Sequence, residues 1–251
     1  MALDEEKLLI ARTNDLYSKC DKYASAVFST FLDPASQVIV NEKCINNAGY
    51  NSVWFGGYED AERNVLGVFT EWEEPNDSAF PILALKIECK YPAGLSHRDY
   101  LGAILSLGID RSKTGDIIVD GDSAVVFVLE DIAEYIKTNL DKIGRHGVKI
   151  DICSVDNIEL PERKFKIINA VSASLRLDAV LAGGLNLSRA NVAKLIQAGK
   201  VQINHKLCED VSQNLSNGDL ISVRGFGRLV FEGVGNSTRS GRIHITLKKF
   251  V

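Results

Sequence analysis

Hydrophobic and polar residues are most regularly arranged in the last third of the chain. Two amphipathic helices are predicted there from apolar residues spaced three and four apart: Leu177, Val180, Leu181, Val192, Leu195 and Ile196. Ser188 can cap the second helix with its hydroxyl, and Gly199 suits the left-handed residue that ends it. This phase leaves Arg176 and Asp178 near the surface of the first helix. Alternating residues after Gly199 predict strands that pack beneath the helices.

The middle third alternates strand and helix patterns. The predicted elements are strands at 82–89, 116–119, 124–129 and 148–153, with helices at about 96–107 and 131–140. Their β-α-β-β-α-β order is that of a ferredoxin-like fold, which RNA-recognition motifs share. Gly121-Asp122 predicts the hairpin turn between the two central strands. The sequence lacks the aromatic pattern on which such motifs stack bases, so we predict that Phe127 belongs to the core.

The first third predicts a smaller unit of helix and strand. Helical spacing runs from Asp4 to about Phe31 and is interrupted at Asp33-Pro34. The apolar side of this helix would consist of Leu8, Leu9, Leu16, Tyr23, Val27 and Phe31. Strands are predicted at 53–55 and 65–69. An acidic segment rich in turn residues follows at 71–78 and ends the unit.

These patterns predict an α+β protein of three domains, a number that suits 251 residues. We place a small N-terminal α/β domain at residues 1–76 and a ferredoxin-like domain at 77–160. A linker at 161–173 leads to a basic domain at 174–251. Residues 159–166 could form an exposed strand or part of the linker, and they extend the basic patch with Arg163, Lys164 and Lys166.

Charge divides the chain in a way that its net value of -4 conceals. Residues 175–251 hold 11 Lys+Arg against 5 Asp+Glu, a net of +6. Residues 1–174 hold 18 against 28, a net of -10. A polyanion would therefore be attracted mainly by the C-terminal third, so its binding should be oriented rather than diffuse.

The remaining composition argues against several kinds of site. Five cysteines, at positions 20, 44, 89, 153 and 208, form no Cys-x-x-Cys pair, which disfavours a disulfide framework or a zinc site. His205 and Cys208 supply only half of a metal site, and we expect a surface turn there. We expect no metal, no cofactor and no small-molecule substrate. The sequence has no long apolar run and no signal segment, so we expect a cytoplasmic protein without a membrane partner.

Four segments follow one another in the C-terminal domain: Ser174-Leu175-Arg176-Leu177-Asp178, Leu187-Ser188-Arg189-Ala190-Asn191, Ala198-Gly199-Lys200-Val201-Gln202-Ile203-Asn204 and Asn217-Gly218-Asp219-Leu220-Ile221-Ser222-Val223-Arg224. In order and spacing they resemble the S4 RNA-binding domain of ribosomal protein S4 and its relatives. Further segments are Phe31-Leu32-Asp33-Pro34, Phe55-Gly56-Gly57-Tyr58-Glu59-Asp60-Ala61-Glu62-Arg63, Leu95-Ser96-His97-Arg98-Asp99-Tyr100-Leu101-Gly102, Leu107-Gly108-Ile109-Asp110-Arg111, Gly115-Asp116-Ile117-Ile118-Val119 and Arg224-Gly225-Phe226-Gly227-Arg228. With these segments nearly the whole chain resembles the YlmH family of bacterial S4-domain proteins.

That resemblance implies an N-terminal domain, a central RNA-recognition-like domain and a C-terminal S4 domain. It also implies a role at the large ribosomal subunit in the rescue of stalled translation. The RNA contacts that the resemblance carries over are Arg176, Ser188, Arg189, Lys194, Lys200, Lys206, Arg224 and Arg228. Ala190 and Asn191 stand where S4 domains often place a second basic residue. His97 and Arg98 could form a secondary RNA contact, or could serve to cap and pack the start of a helix.

The expected function is that of a non-catalytic protein that binds ribosomal RNA of the large subunit, with peptidyl-tRNA as a further partner. Two alternatives stay open. One is an RNA-modifying enzyme whose catalytic groups lie in residues 1–170; Arg176-Leu177-Asp178 is similar to a triplet of RNA pseudouridine synthases, but it lies inside the predicted S4 helix. The other is a protein-interaction adaptor associated with cell division.

Overall fold

The computed structural model describes residues 3–45, 49–90, 94–161, 165–238 and 241–250. It divides into two compact units, Met1–Pro161 and Glu162–Val251. The described residues form six α-helices and antiparallel sheets, which confirms the α+β class. In this part of the chain no helix is long and apolar enough to cross a membrane. Because residues 1–160 lie in a single compact unit, the boundary at 76 stays a prediction.

The first unit begins with two helices packed on a small sheet. These elements are α1 (Leu3–Tyr23), β1 (Val27–Phe28), α2 (Pro34–Lys43), β2 (Tyr50–Phe55) and β3 (Val65–Thr70). The strands are antiparallel in the order β1-β3-β2. Asp33 caps α2, since its carboxylate accepts a hydrogen bond from the backbone N–H of Ser36 at 3.0 Å, and Pro34 occupies the first helical turn.

The predicted helix at 4–31 is too long. In the structure α1 ends at Tyr23, and Ala24 adopts a left-handed conformation with φ of 48°. The chain then forms β1, where Val27 pairs with Val68, and this pairing satisfies backbone groups that a continued helix would have used. Leu8 and Tyr23, assigned to the apolar side, are 50% and 60% exposed.

The middle of the first unit has the predicted ferredoxin-like order. Its elements are β4 (Ile82–Cys89), α3 (His97–Ser106), β5 (Thr114–Asp120), β6 (Ser123–Leu129), α4 (Glu130–Asn139), β7 (Lys142–Ile143) and β8 (His146–Ser154). All neighbours in the sheet are antiparallel, in the order β5-β6-β4-β8-β7. The short strand β7 is an addition to the prediction. Gly121 makes the β5–β6 turn with φ of 58°, as expected.

Both faces of this central sheet are buried. On one face α3 and α4 pack over a core that includes Leu85, Ile87, Tyr100, Val126 and Ile136. On the other face Phe127 is fully buried in a second cluster with Phe31, Val65, Phe69 and Phe80. The prediction that Phe127 belongs to the core is confirmed. Residues from the N-terminal part of the unit thus cover the face that an RNA-recognition motif would offer to bases.

Two of the upstream segments that carry the family resemblance meet at this junction. Tyr58 stacks on Phe127 with ring centroids 5.0 Å apart, and its hydroxyl donates to Asp116 at 2.8 Å. The Arg63 side chain donates through Nε to the Thr114 carbonyl oxygen at 3.1 Å. At Gly57 a Cβ atom would lie 2.4 Å from the Phe127 ring, and φ is +99°, so only glycine fits. These residues hold the N-terminal segment against the sheet.

The second unit is a six-stranded antiparallel sheet covered on one face by two helices. Its elements are β9 (Phe165–Ser172), α5 (Leu177–Leu185), α6 (Arg189–Gln197), β10 (Val201–Ile203), β11 (Lys206–Leu207), β12 (Leu220–Val223), β13 (Gly227–Ser237) and β14 (Ile243–Phe250). The strand order is β11-β10-β12-β13-β14-β9. As predicted, Leu177, Val180, Leu181, Val192 and Ile196 are fully buried in its core.

The segment expected to link the domains is largely a strand of the second unit. Residues 165–172 pair with β14 along their whole length, from Phe165 with Phe250 to Ser172 with Ile243. Ile168 and Ala170 turn inward and pack on the core. The linker prediction failed because the partner strand lies far along the sequence and leaves no local signal. Arg163 and Lys164 lie outside the described residues.

Candidate RNA-binding surface

A nearly buried carboxylate holds two arginines at the beginnings of α5 and α6. Arg176 is the residue before α5, and Arg189 is the first residue of α6. Arg176 donates to Asp178 from Nε at 3.2 Å and from Nη2 at 3.5 Å. Arg189 donates to the same carboxylate from Nη2 at 2.6 Å and from Nε at 3.2 Å. We call this arrangement of Arg176, Asp178 and Arg189 the arginine clamp.

The clamp keeps its central carboxylate ionised. Asp178 is only 6% exposed. Burial opposes ionisation, yet the hydrogen bonds and charges of Arg189 and Arg176 outweigh it and hold the pKa of the Asp178 carboxyl below its ordinary value. The two arginine side chains remain 40% and 52% exposed, so both guanidinium groups are fixed by the protein and still reach solvent. Fixed, accessible guanidinium groups are suited to phosphate oxygens.

The expectation that Asp178 stays near the surface is wrong. Its side chain turns inward because two cations compensate its charge there, which helical periodicity cannot reveal. Asp178 also belongs to the candidate surface, although the expected RNA contacts did not include it. The available signal in the sequence was the Arg176-Leu177-Asp178 triplet. Its aspartate stands two residues after Arg176 and eleven before Arg189.

Backbone contacts set the position of the clamp. The N–H groups of Leu177 and Asp178 donate to the carbonyl oxygens of Gln213 and Val211, at 2.8 and 3.3 Å. These bonds satisfy donors that the first turn of α5 would otherwise leave unpaired. The loop before β12 therefore fixes where α5 begins. The same loop thereby sets the direction in which the Arg176 side chain leaves the backbone.

The second helix begins and ends as predicted. The Ser188 hydroxyl accepts a hydrogen bond from the backbone N–H of Asn191 at 3.2 Å, so Ser188 acts as the N-cap of α6. Gly199 follows the helix with φ of 66°. Lys194 is exposed but lies five residues after Arg189, which is about 140° around the helix. The structure therefore does not bring Lys194 into the arginine clamp.

The remaining predicted contacts are spread over the sheet. Lys200 and Arg224 are neighbours at the end of the paired strands β10 and β12, where the Arg224 N–H donates to the Lys200 carbonyl oxygen at 2.9 Å. Both side chains are exposed, as is that of Lys206 in β11. Arg228 on β13 is different. It precedes the buried Leu229, so its side chain points away from the helices, and its Cζ atom lies 4.9 Å from the centroid of the Phe250 ring.

His97 and Arg98 belong to the first unit. They are the first two residues of α3, and both are exposed. The helix start is organised by their neighbours: Ser96 donates to the Asp99 carboxylate from its backbone N–H at 2.8 Å and from its hydroxyl at 2.7 Å. The capping role considered for His97 and Arg98 therefore falls to Ser96 and Asp99.

The possible metal ligands in the second unit lie in a turn, as expected. His205 and Asn204 both have positive φ values, 66° and 48°, between the paired strands β10 and β11. The Cys208 thiol donates to the Asp210 carbonyl oxygen at 3.5 Å. Over the residues with described positions, no three His, Cys, Asp or Glu side chains are grouped as metal ligands.

Two family models match separate parts of the chain. Residues 75–157 match the family model described as "Putative RNA-binding domain in YlmH", and residues 175–221 match the S4 domain. The ribosome-associated protein quality control protein P2 of Bacillus subtilis (strain 168) is 31% identical over 221 residues, which cover 87% of this chain and 85% of that protein.

A solved structure supports the fold. The cell division protein ylmH from Streptococcus pneumoniae superposes with a TM-score of 0.54 at 18% identity, over 63% of this chain and 97% of the other. At this identity the likeness concerns the fold alone. The family models and the Bacillus relative show more, because they match the chain in sequence along most of its length. The chain belongs to the YlmH family of S4-domain RNA-binding proteins.

Proposed function

We propose that this protein acts without catalysis, binding ribosomal RNA of the large subunit during the rescue of stalled translation. The observation that carries the proposal is the arginine clamp. Its four hydrogen bonds use Nε and Nη2 of each guanidinium group and leave both Nη1 groups outside the clamp. Each arginine can therefore donate to a phosphate while Asp178 holds it in place.

Electrostatics gives the interaction its direction. Residues 175–251 carry a net charge of +6 and the rest of the chain -10. At physiological salt, charges interact over roughly 8 to 10 Å, so the local surface decides docking rather than the acidic total. An RNA duplex or hairpin should therefore meet the second unit, through the clamp and through Lys194, Lys200, Lys206 and Arg224.

The ribosomal partner is inferred from the family. The Bacillus relative is named for ribosome-associated protein quality control. We extend that role to this chain and propose a large subunit carrying peptidyl-tRNA as its target, which places the protein in the cytoplasm. A chemical step on RNA is not part of the proposal. The proposed role is to bind the large subunit that carries peptidyl-tRNA.

Gradient fractionation tests the partner directly. Wild-type protein should travel with large subunits at low salt, and more so after translation has been stalled. The double variant Arg189→Glu/Lys194→Glu should stay at the top of the gradient, because it breaks the clamp and reverses the charge of the helical surface. Lys7→Glu/Lys19→Glu is the matched control, since it changes net charge equally at exposed positions of α1.

The control should migrate like wild type. Equal migration of wild type and the Arg189→Glu/Lys194→Glu variant, with both shown to be folded, would remove the proposed RNA surface, and selective binding to small subunits would mean a different partner. Mapping of modified nucleotides in ribosomal RNA incubated with the protein tests the enzymatic alternative. A new modification would contradict the non-catalytic role.

A further inference from the structure

The face of the C-terminal sheet that α5 and α6 do not cover carries a row of rings and cations. Phe165 on β9 and Phe250 on β14 are direct cross-strand partners, and their ring centroids lie 5.0 Å apart at 64°. Arg228 on β13 continues the row, with Cζ 4.9 Å from the Phe250 centroid. Two aromatic rings and a guanidinium group thus stand side by side on three adjacent strands. We call these residues and their neighbours on this face the outer face.

The next row of the outer face adds a second cation. Lys248 pairs with Ile167, and its Nζ lies 5.9 Å from the Phe165 centroid and 2.9 Å from Glu232. Ile167 is 50% exposed and Phe165 is 40% exposed. On the outer face these strands place two cations, Arg228 and Lys248, and one carboxylate, that of Glu232, whereas Lys166 and Lys249 alternate to the opposite face. The outer face is therefore both apolar and positively charged.

Strand alternation explains why this face is open. Leu229, Phe231 and Leu247 are buried beneath the helices, so the residues between them point to the other side. The strands β9, β13 and β14 also lie outside the S4 match, which covers residues 175–221. Phe165 is exposed and Phe250 beside it is partly exposed, and contiguous exposed apolar patches mark sites of interaction.

We propose that the outer face binds unpaired RNA bases. Phenylalanine rings and guanidinium planes are the groups on which proteins stack single-stranded bases, and Lys248 beside them can contact a backbone phosphate. The net charge of +6 in residues 175–251 favours RNA over a protein partner, because a basic surface attracts a polyanion. This surface lies on the opposite side of the sheet from α5, so it adds to the proposed function and does not depend on the clamp.

The test uses the full-length protein and a labelled single-stranded uridine 12-mer. Phe165→Ala/Phe250→Ala should weaken binding at least about tenfold, since each stacked base contributes on the order of 1–3 kcal/mol. Phe165→Tyr/Phe250→Tyr should bind within about twofold of wild type, because the rings remain. Leu207→Ala/Val234→Ala is the matched control: it removes exposed apolar area of the second unit away from the rings, and it should have little effect.

The outcomes separate this proposal from the previous one. Arg189→Glu/Lys194→Glu should lose large subunits from the gradient while still binding the uridine 12-mer. If Phe165→Ala/Phe250→Ala binds the 12-mer like wild type with its melting temperature retained, the outer face is not an RNA surface. Equal weakening by Leu207→Ala/Val234→Ala would indicate that binding depends on exposed apolar area in general and would also overturn the proposal. Neither result bears on whether the clamp binds ribosomal RNA.

Discussion

The two large sheets of this protein differ in how their faces are covered. In the central sheet, Val126 and Phe127 point to opposite faces and both are fully buried, one under helices and the other under the N-terminal segment. In the C-terminal sheet the helices cover one face, and the other keeps Phe165 and Ile167 40% and 50% exposed. The difference lies in what packs on each sheet, since both sheets are antiparallel.

This contrast separates fold topology from the place where nucleic acid can bind. The central sheet has the strand order of an RNA-recognition motif, yet the face on which such motifs stack bases is part of the core. A contact between the central domain and RNA would have to use its loops or helix ends, such as the start of α3 at His97 and Arg98. The C-terminal sheet has another order and leaves rings and cations accessible.

The largest expected effect separates the covered face from the open one. Phe127→Ala should destabilise the first unit by about 3 to 5 kcal/mol, because it leaves a cavity between the sheet and the N-terminal segment. Phe165→Ala should cost about 1 kcal/mol, the value of one ring contact. Urea unfolding followed by circular dichroism measures both, and hydrogen exchange of the β6 amides assigns the first loss. Similar losses of unfolding free energy in the two variants would show that the two sheet faces do not differ in how deeply they are buried.

The arginine clamp should give the next largest effect. Arg176→Ala/Arg189→Ala leaves Asp178 buried without its two partners, and we expect a loss of about 3 kcal/mol in the second unit at neutral pH. Lys200→Ala/Lys206→Ala removes the same charge from exposed positions and should leave the melting temperature nearly unchanged. A stable Arg176→Ala/Arg189→Ala variant would mean that water reaches the Asp178 carboxylate.

Acid should weaken the clamp in a defined direction. The pKa of Asp178 is lower in the folded protein than in the unfolded chain, where it is about 3.9. Its ionised form therefore adds stability that is fully present above about pH 4 and is lost as pH falls through the folded-state pKa. Asp178→Asn lacks this contribution. The stability difference between wild type and Asp178→Asn should be greatest at neutral pH and should shrink towards pH 2.5, as urea midpoints will show; a constant difference would contradict an ionised Asp178.

Local periodicity predicted much of the fold. The strands and helices of the ferredoxin-like order, and helices α5 and α6, each carry their own hydrophobic repeat, so short windows of sequence suffice to identify them. The cap of α6 was also local, since Ser188 and Asn191 are three residues apart. Topology followed from the order of these elements.

The errors concern pairings between distant residues. The strand β9 depends on β14, whose Thr246 is 77 residues from its partner Asn169. The early end of α1 depends on the pairing of Val27 with Val68. In the same way, Asp178 is buried because Arg189 reaches it from the next helix. Each outcome is decided by a contact between elements, which a repeat within one element does not encode.

The smallest expected effect tests whether the charge division orients the protein on RNA. Lys194→Ala should leave stability within about 0.5 kcal/mol of wild type, because the side chain is exposed on α6. It should reduce the slope of log affinity against log salt by about 0.7 to 0.9 for a hairpin RNA, the amount expected for one lost phosphate contact. Lys142→Ala removes the same charge from an exposed position of β7 in the first unit and should leave the slope unchanged. Equal slope changes in the two variants would show that both units attract RNA, and the oriented binding inferred from the net charges of +6 and -10 would then be wrong.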